Sequence, residues 1–230
     1  MPELQREQKR RMLQQQLSLF DRQGKEVRRI PRNYTEAFIM EIHCARRMPC
    51  VTDAFGLYVD GELVGVVTYG IPASPTLCIG LAGEENQYNV KELNRLVIRP
   101  EFGGKNYASY LVAHSLKMLG NNTFVVSYAD TAWTHIGYIY QACNFLYTGC
   151  TKERTDIFTG KHQRHYSEDE RDSGKRQYRS AKHRYVYLVG DRRTRKHMRE
   201  QLNYQILPYP KGNEIRYDVH NPKPIREVNV

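Results

Sequence analysis

The chain has 230 residues, 40% of them apolar and 26% charged, with a net charge of +10 and 17 tyrosines. This is close to ordinary soluble composition, and long enough for one well-filled core plus extensions. The five cysteines (Cys44, Cys50, Cys78, Cys143 and Cys150) are odd in number and none has Cys-x-x-Cys spacing, which argues against a zinc ribbon; no apolar run approaches the ~18 residues of a membrane span.

Residues 1–16 are polar and charged rather than apolar, unlike a secretory leader. Residues 3–20 read as a polar helix with Leu13, Leu17 and Phe20 on one side. Residues 21–32 contain Gly24 and Pro31 and read as a connector. Asn33 or Thr35 is placed to cap a second helix reaching about Cys44. Two β-rich runs, 55–59 and 62–69, flank Asp60-Gly61, the strongest short-range hairpin signal in the chain. Residues 72–85 are rich in Gly and Pro and read as a loop. A strand over 90–99, a turn over 100–105 and a helix over 106–119 follow. Then come a strand over 123–129, a short helix over 134–142 and a strand over 145–150. Residues 152–182 are charged and poor in large aliphatics, as in a long loop or inserted arm. A last strand over 184–190 precedes a basic helix that Asp191 would cap.

This order predicts an α/β (α+β) fold built around one sheet. The expected divisions are an N-terminal helical extension (1–32), a core (33–150), a charged arm or loop (151–183), and a last core strand with a basic C-terminal extension (184–230).

The positive charge is concentrated. Residues 175–199 hold ten Lys/Arg against one acid, Asp191. Lys175, Arg176, Arg179, Lys182, Arg184, Arg192, Arg193, Arg195 and Lys196 are therefore candidates to track a nucleic-acid backbone. A solvated basic face is the plainer alternative.

Two segments carry chemistry. In the first, a strand ending at Ile98-Arg99 leads through Gly103, Gly104 and Lys105 into a helix opening with Asn106, Tyr107, Ala108 and Ser109. Unsatisfied N–H groups and the positive dipole end make such a helix start a phosphate site; an ordinary strand–helix connection has the same appearance. The second runs Ser127-Tyr128-Ala129-Asp130, then His135-Ile136-Gly137, then Tyr140-Gln141-Ala142-Cys143-Asn144-Phe145. Asp130 would emerge from a strand into a cleft, with Tyr140 returning to it, a pair able to orient an amine or move a proton. Asp130 as a helix cap and Tyr140 as core is the structural alternative.

The first segment resembles the coenzyme loop of GNAT acyltransferases, with Val97-Ile98-Arg99-Pro100, Gly104 and Ala108 matching and Gly103 and Asn106 departing. The second resembles the phage Mom family of DNA adenine modification proteins, as does His43-Cys44-Ala45-Arg46-Arg47-Met48-Pro49, where Cys44 replaces the family's tyrosine. The strand containing Glu92 and Arg95 is similar to the family's substrate-side strand.

The resemblance implies a GNAT-like fold with a mixed, mostly antiparallel sheet flanked by helices. It implies acetyl-CoA or a related acyl-CoA as donor, and DNA as the second partner. The reaction it implies places a carbamoylmethyl-type group on adenine N6 and protects DNA from restriction. On that view His43, Asp130, Tyr140 and Arg95 are catalytic, and Ile98, Arg99 and residues 103–109 hold the coenzyme. The base would be extruded from the duplex, with Tyr128, Trp133, Tyr138 and Tyr140 available to stack on it. The implied location is the cytoplasm, the host's if the chain is phage-encoded, with no membrane partner. Iron is also proposed for the family, and the spacing of His43, Asp130 and Tyr140 gives it no support. Two alternatives stay open: an acyltransferase acting on another base, a protein or a small amine, and a non-catalytic DNA-binding protein with a decayed core.

Overall fold

The computed structural model describes residues 24–104, 106–157, 167–172 and 176–212. The helix expected over 3–20 and the candidate residues Lys105 and Lys175 lie outside them. Nine strands are present among the described residues: β1 (Lys25–Arg29), β2 (Asp53–Val59), β3 (Glu62–Gly70), β4 (Val90–Ile98), β5 (Thr123–Asp130), β6 (Leu146–Cys150), β7 (Arg154–Ile157), β8 (Arg176–Arg179) and β9 (Lys182–Val189). Seven form one sheet in the order β1-β2-β3-β4-β5-β9-β6, and β7 pairs separately with β8. Every pairing is antiparallel except β4 with β5. The expected mixed, mostly antiparallel sheet is therefore the one observed.

The Asp60-Gly61 signal does what its chemistry predicts. Both residues have positive φ, 51° and 85°, and close the β2–β3 turn. Helix α1 (Pro75–Ala82) corrects the loop expected over 72–85. There the breakers mark its ends. The Ser74 side chain accepts from the Leu77 N–H at 3.3 Å, Pro75 opens the first turn, and Gly83 closes the helix at φ 79°. The connector expected over 21–32 contains β1, an edge strand whose Lys-Glu-Val-Arg-Arg sequence has one apolar residue and hence no readable alternation. The helix expected from 33 to 44 is a 3-10 turn (Arg32–Thr35) running into a π-helical turn (Phe38–Ile42). The loop expected over 152–182 contains β7, a short helix and β8, so the arm is a two-stranded ladder in its described parts.

Helix α2 (Tyr107–Lys117) and the short α3 (Tyr138–Ala142) cover one face of the sheet. Leu111, Leu116, Phe55, Tyr69, Val125, Phe145 and Tyr185 fill that layer. Adjacent residues of β5 point to the other face. There Phe124 and Val126 pack with Leu81 of α1 and with Met198. Met198 belongs to α5 (Arg192–Glu200), as α4 is the five-residue Glu168–Asp172 in the arm. Ile39 and Phe38 close the rest of that face against Ala54, Val66 and Val97.

What positions the site is the seam between β4 and β5. Their register pairs run only from Val90↔Phe124 to Glu92↔Val126. The Ser127 hydroxyl donates to the Leu93 carbonyl at 2.9 Å, and beyond this point the two strands part. Opposite, β3 pairs Tyr69 with Leu93 and Thr68 with Arg95, so Asn94 is a bulge residue. The bulge is pinned by Thr68 Oγ1 donating to Asn94 Oδ1 (2.6 Å) and Asn94 Nδ2 donating to the Cys50 carbonyl (2.8 Å).

Candidate active site

A cavity of about 510 Å³ opens where the two strands separate, and His43, Arg95, Asp130 and Tyr140 all line it. Four side chains separated by up to 97 positions in sequence thus face one space. His43 follows the π-helical turn. Its Nδ1 accepts from the Ala45 N–H at 3.0 Å, which leaves the proton of a neutral ring on Nε2. Burial, then the charges of Arg95 and His135, push its pKa down to about 3. His43 is therefore a neutral hydrogen-bond donor near pH 7. Cys44, standing where the family has tyrosine, puts its Sγ 3.6 Å from the same Nδ1.

Asp130 ends β5 and does cap the next turn, accepting from the Ala132 N–H at 3.0 Å. Its carboxylate also accepts from Ser180 Oγ and pairs with Lys182 Nζ. The structural alternative for Asp130 and its place in the cavity hold together. Tyr140 is also both wall and packing, with its ring 5.4 Å from those of Phe145 and Tyr185. Gly137 sets the entry to α3. It has φ 81°, and a Cβ there would lie 2.4 Å from the Tyr185 ring.

Arg95 projects from the bulged stretch of β4. Its Nε and Nη2 grip the Arg47 carbonyl at 3.2 and 3.0 Å, and Nη1 donates to the Asn94 carbonyl at 2.6 Å. Glu92, also lining the cavity, is a residue that sequence reasoning left without a role. Burial raises its pKa above the usual carboxylate value, against the opposing charges of Arg95 and Lys182. In sequence it is one more polar residue in a strand. Its only signal is a carboxylate three positions before Arg95 in the parallel-paired part of β4.

Residues 98–109 do not line this cavity. Because β4 and β5 are parallel, however, Ile98 and Asp130 finish at the same edge of the sheet, and α2 starts there. No side chain caps α2, and Asn106 before it is left-handed at φ 58°. Gly104 has φ 80°, and a Cβ on it would meet nothing within 4 Å. Ser109 donates to the Asn106 carbonyl at 3.0 Å, and Tyr107 is buried. Ile98 packs against the core, while Arg99 turns to Glu62 and to the Phe38 ring, 5.4 Å away.

The model of the Mom protein family matches residues 25–211. This chain belongs to the Mom protein family. Comparison with curated proteins gives no match. Among solved structures, this Mom-family chain is similar to a GNAT-family acetyltransferase from Bacillus cereus ATCC 10987 (10% identity, 73% of this chain and 99% of that one, TM-score 0.44). It is also similar to spermidine N-acetyltransferase from Vibrio cholerae (15% identity, 72% and 94%, TM-score 0.45). A third is a Bacillus subtilis acetyltransferase in complex with CoA (12% identity, 73% and 98%, TM-score 0.44).

The basic tract of this Mom-family chain does not form one stripe. Arg176 and Arg179 lie on β8, with Arg179 paired to Asp156 at 3.0 Å. Lys182 is in the cavity on Asp130. Arg184 stacks 3.5 Å over the Tyr204 ring and holds Thr148 through Nε at 3.0 Å and Nη2 at 2.9 Å. Arg192, Arg193, Arg195 and Lys196 are exposed on α5.

An iron site drawn from His43, Asp130 and Tyr140 does not fit these residues. The Asp130 oxygens already serve an ammonium, a hydroxyl and an amide, and His43 Nδ1 is occupied. Among the described residues no group of three or more His, Cys, Asp or Glu is placed to hold a metal. No helix among them is long and apolar enough to cross a membrane.

Proposed function

We propose that this Mom-family chain is an acyl-CoA-dependent transferase that acylates the N6 amine of adenine in DNA, a modification that shields DNA from restriction. The observation that carries this reading is the parting of β4 and β5. It leaves an uncapped helix start and a polar, aromatic-walled cavity at one edge of the sheet. The first-turn N–H groups of α2, with Gly104 leaving room for close approach, fit the phosphates of a coenzyme. Bound there, acyl-CoA would present its thioester carbonyl carbon to the seam, where N6 would bond to it as the C–S bond breaks and CoA leaves as the thiol.

The cavity supplies the acceptor side. Any bond formed at N6 requires that a proton leave that nitrogen. Glu92 is the carboxylate suited to take it, because burial holds its proton affinity above that of an ordinary glutamate. Asp130 has its oxygens committed to Ala132, Ser180 and Lys182, so its part is to hold Lys182 in the cavity. The Nε2–H of His43 offers a neutral donor to a developing oxyanion, and burial keeps that ring uncharged. Trp133, Tyr138 and Tyr140 provide faces on which an extruded purine stacks. Holding both reactants at one sheet edge makes the transfer effectively intramolecular.

The test is mass spectrometry of nucleosides from DNA of cells expressing the chain, beside an Asp130→Asn control. The expected result is a mass-shifted deoxyadenosine that is absent from the control. Unmodified nucleosides from both would remove the reading.

A further inference from the structure

Arg95 is held as a fork with its tines free. A guanidinium has five N–H donors. Three are used: Nε–H and one Nη2–H on the Arg47 carbonyl, and one Nη1–H on the Asn94 carbonyl. What remains is one N–H on Nη1 and one on Nη2, two donors on neighbouring nitrogens able to meet two oxygens of one oxyanion. The three carbonyl bonds fix the plane of the group, so the pair is oriented before any ligand arrives.

No carboxylate satisfies that pair. Among the described residues Arg95 makes no ion pair within 4.0 Å, whereas Lys182, also in the cavity wall, is taken by Asp130. Arg47 lines the same cavity, is exposed, and also has no acidic partner among the described residues. Burial first, and then the charge of Arg47, lower the pKa of Arg95, so the two guanidinium groups feel each other across the cavity wall. Like charges kept together at a cavity wall call for an anion between them. Glu92 acts on Arg95 through its charge alone, with no ion pair within 4.0 Å and no side-chain hydrogen bond between them among the described residues.

We propose that Arg95 and Arg47 form a phosphate subsite for the DNA strand, gripping the phosphodiester next to the extruded adenosine. The substrate is then a nucleotide within a strand, not a free base. This rests on the DNA reading above and adds to it the group that is recognised. A phosphate ester could also come from the coenzyme. The strand is favoured because the α2 start offers the coenzyme its own place, and none of residues 98–109 lines this cavity. The exposed ring of Tyr138 at the same wall gives the neighbouring base a face to stack on.

Trp133 is the chain's one tryptophan and lines the cavity, so its fluorescence reports occupancy directly. The full chain is titrated with deoxyadenosine, deoxyadenosine 5′-phosphate, deoxycytidine 5′-phosphate, inorganic phosphate and CoA. It is also titrated with a short adenine oligonucleotide, with and without neutral methylphosphonate linkages flanking the adenine. The expected result is that deoxyadenosine 5′-phosphate binds at least tenfold more tightly than deoxyadenosine, and that the neutral linkages weaken the oligonucleotide by a similar factor. Arg95→Ala and Arg95→Lys should both lose the advantage, since an ammonium cannot replace the fork, and Arg47→Ala should lose part of it. If Arg95→Ala fails to fold, Arg47→Ala and the methylphosphonate pair in the unaltered protein decide. Equal binding of deoxyadenosine and its phosphate overturns the subsite and leaves the adenine reading standing. A phosphate advantage lost in the Arg95 variants but equal for adenine and cytosine nucleotides supports the subsite and counts against adenine as the target. Displacement of the nucleotide by CoA, with CoA binding equally weakened in Arg95→Ala, assigns the subsite to the coenzyme and overturns the proposal. No response to any probe also overturns it.

Discussion

At the residue scale the two carboxylates of the cavity divide by how many partners they have. Asp130 is saturated by an amide, a hydroxyl and an ammonium, and the Glu92 carboxylate makes no hydrogen bond among the described residues. A proton acceptor needs a free lone pair and a pKa lifted toward the working pH, and Glu92 has both. Its ionised form is the active base, so activity is lost as pH falls through its pKa. That acid limb should lie above the usual carboxylate range, because burial raises the value. Glu92→Gln should slow formation of modified deoxyadenosine by about 10²–10⁴-fold and abolish the limb. Rates measured across pH on purified protein check this. An unchanged limb in the variant would assign the titration elsewhere. His43 contributes no competing limb near neutrality, since its ring gains a proton only near pH 3.

At the scale of elements, the sequence was most legible where local chemistry and burial agree. The Asp60-Gly61 turn, β4, α2 and β5 each pair a strong periodicity with fitting end residues, and each lies within a residue or two of its expected place. Residues 72–85 misled because Gly and Pro break a helix interior yet also mark helix ends, and only packing of Cys78, Leu81 and Ala82 on the sheet distinguishes the two. β1 was unreadable because an edge strand is held by backbone bonds, not by an apolar face. The Asn94 bulge, which brings Arg95 to the cavity wall, has no sequence signature at all. His43 and Arg95 were legible only through motif resemblance, Asp130 and Tyr140 also through their places at a strand end and on the helix after it, and Glu92 was missed since its meaning comes from burial.

The same distinction separates the two glycines before α2. Gly103 has φ −63°, which any residue adopts, whereas Gly104 has φ 80°. Gly104→Val should cost about 1–2 kcal/mol through the left-handed conformation alone, as nothing crowds the site. Gly103→Ala should leave stability unchanged. If the turn also cradles phosphates, Gly104→Val weakens CoA binding in a calorimetric titration beyond any loss in Tm. Equal CoA binding by both variants would detach the coenzyme from this turn.

At the scale of the whole molecule, the basic tract reads as one feature in sequence and as several in space. β9 runs antiparallel to β5, with Lys182 opposite Asp130 at the cavity edge and Val189 opposite Thr123 at the far edge. Eight strand residues span roughly 25 Å. Helix α5 begins beyond the far edge, so Arg192 and Arg193 are about that distance from the reacting centre. They are exposed and pair with no acid among the described residues, apart from the cap Asp191 beside them. Their contribution to DNA binding would then be electrostatic and independent of what fills the cavity. Replacing Arg192, Arg193, Arg195 and Lys196 with Ser should weaken duplex binding and reduce the slope of log K against log salt by up to about 0.9 for each phosphate no longer neutralised. The Trp133 response to deoxyadenosine 5′-phosphate should be unaltered. Lys182→Met should do the reverse, keeping the salt slope nearly intact while stopping modification, because Lys182 is bound to Asp130 inside the cavity. Filter binding over a salt series, run beside the fluorescence titration, separates the two. If the four α5 substitutions leave the salt slope untouched, the duplex is held by the arm and the cavity rim, and α5 is a solvated basic face.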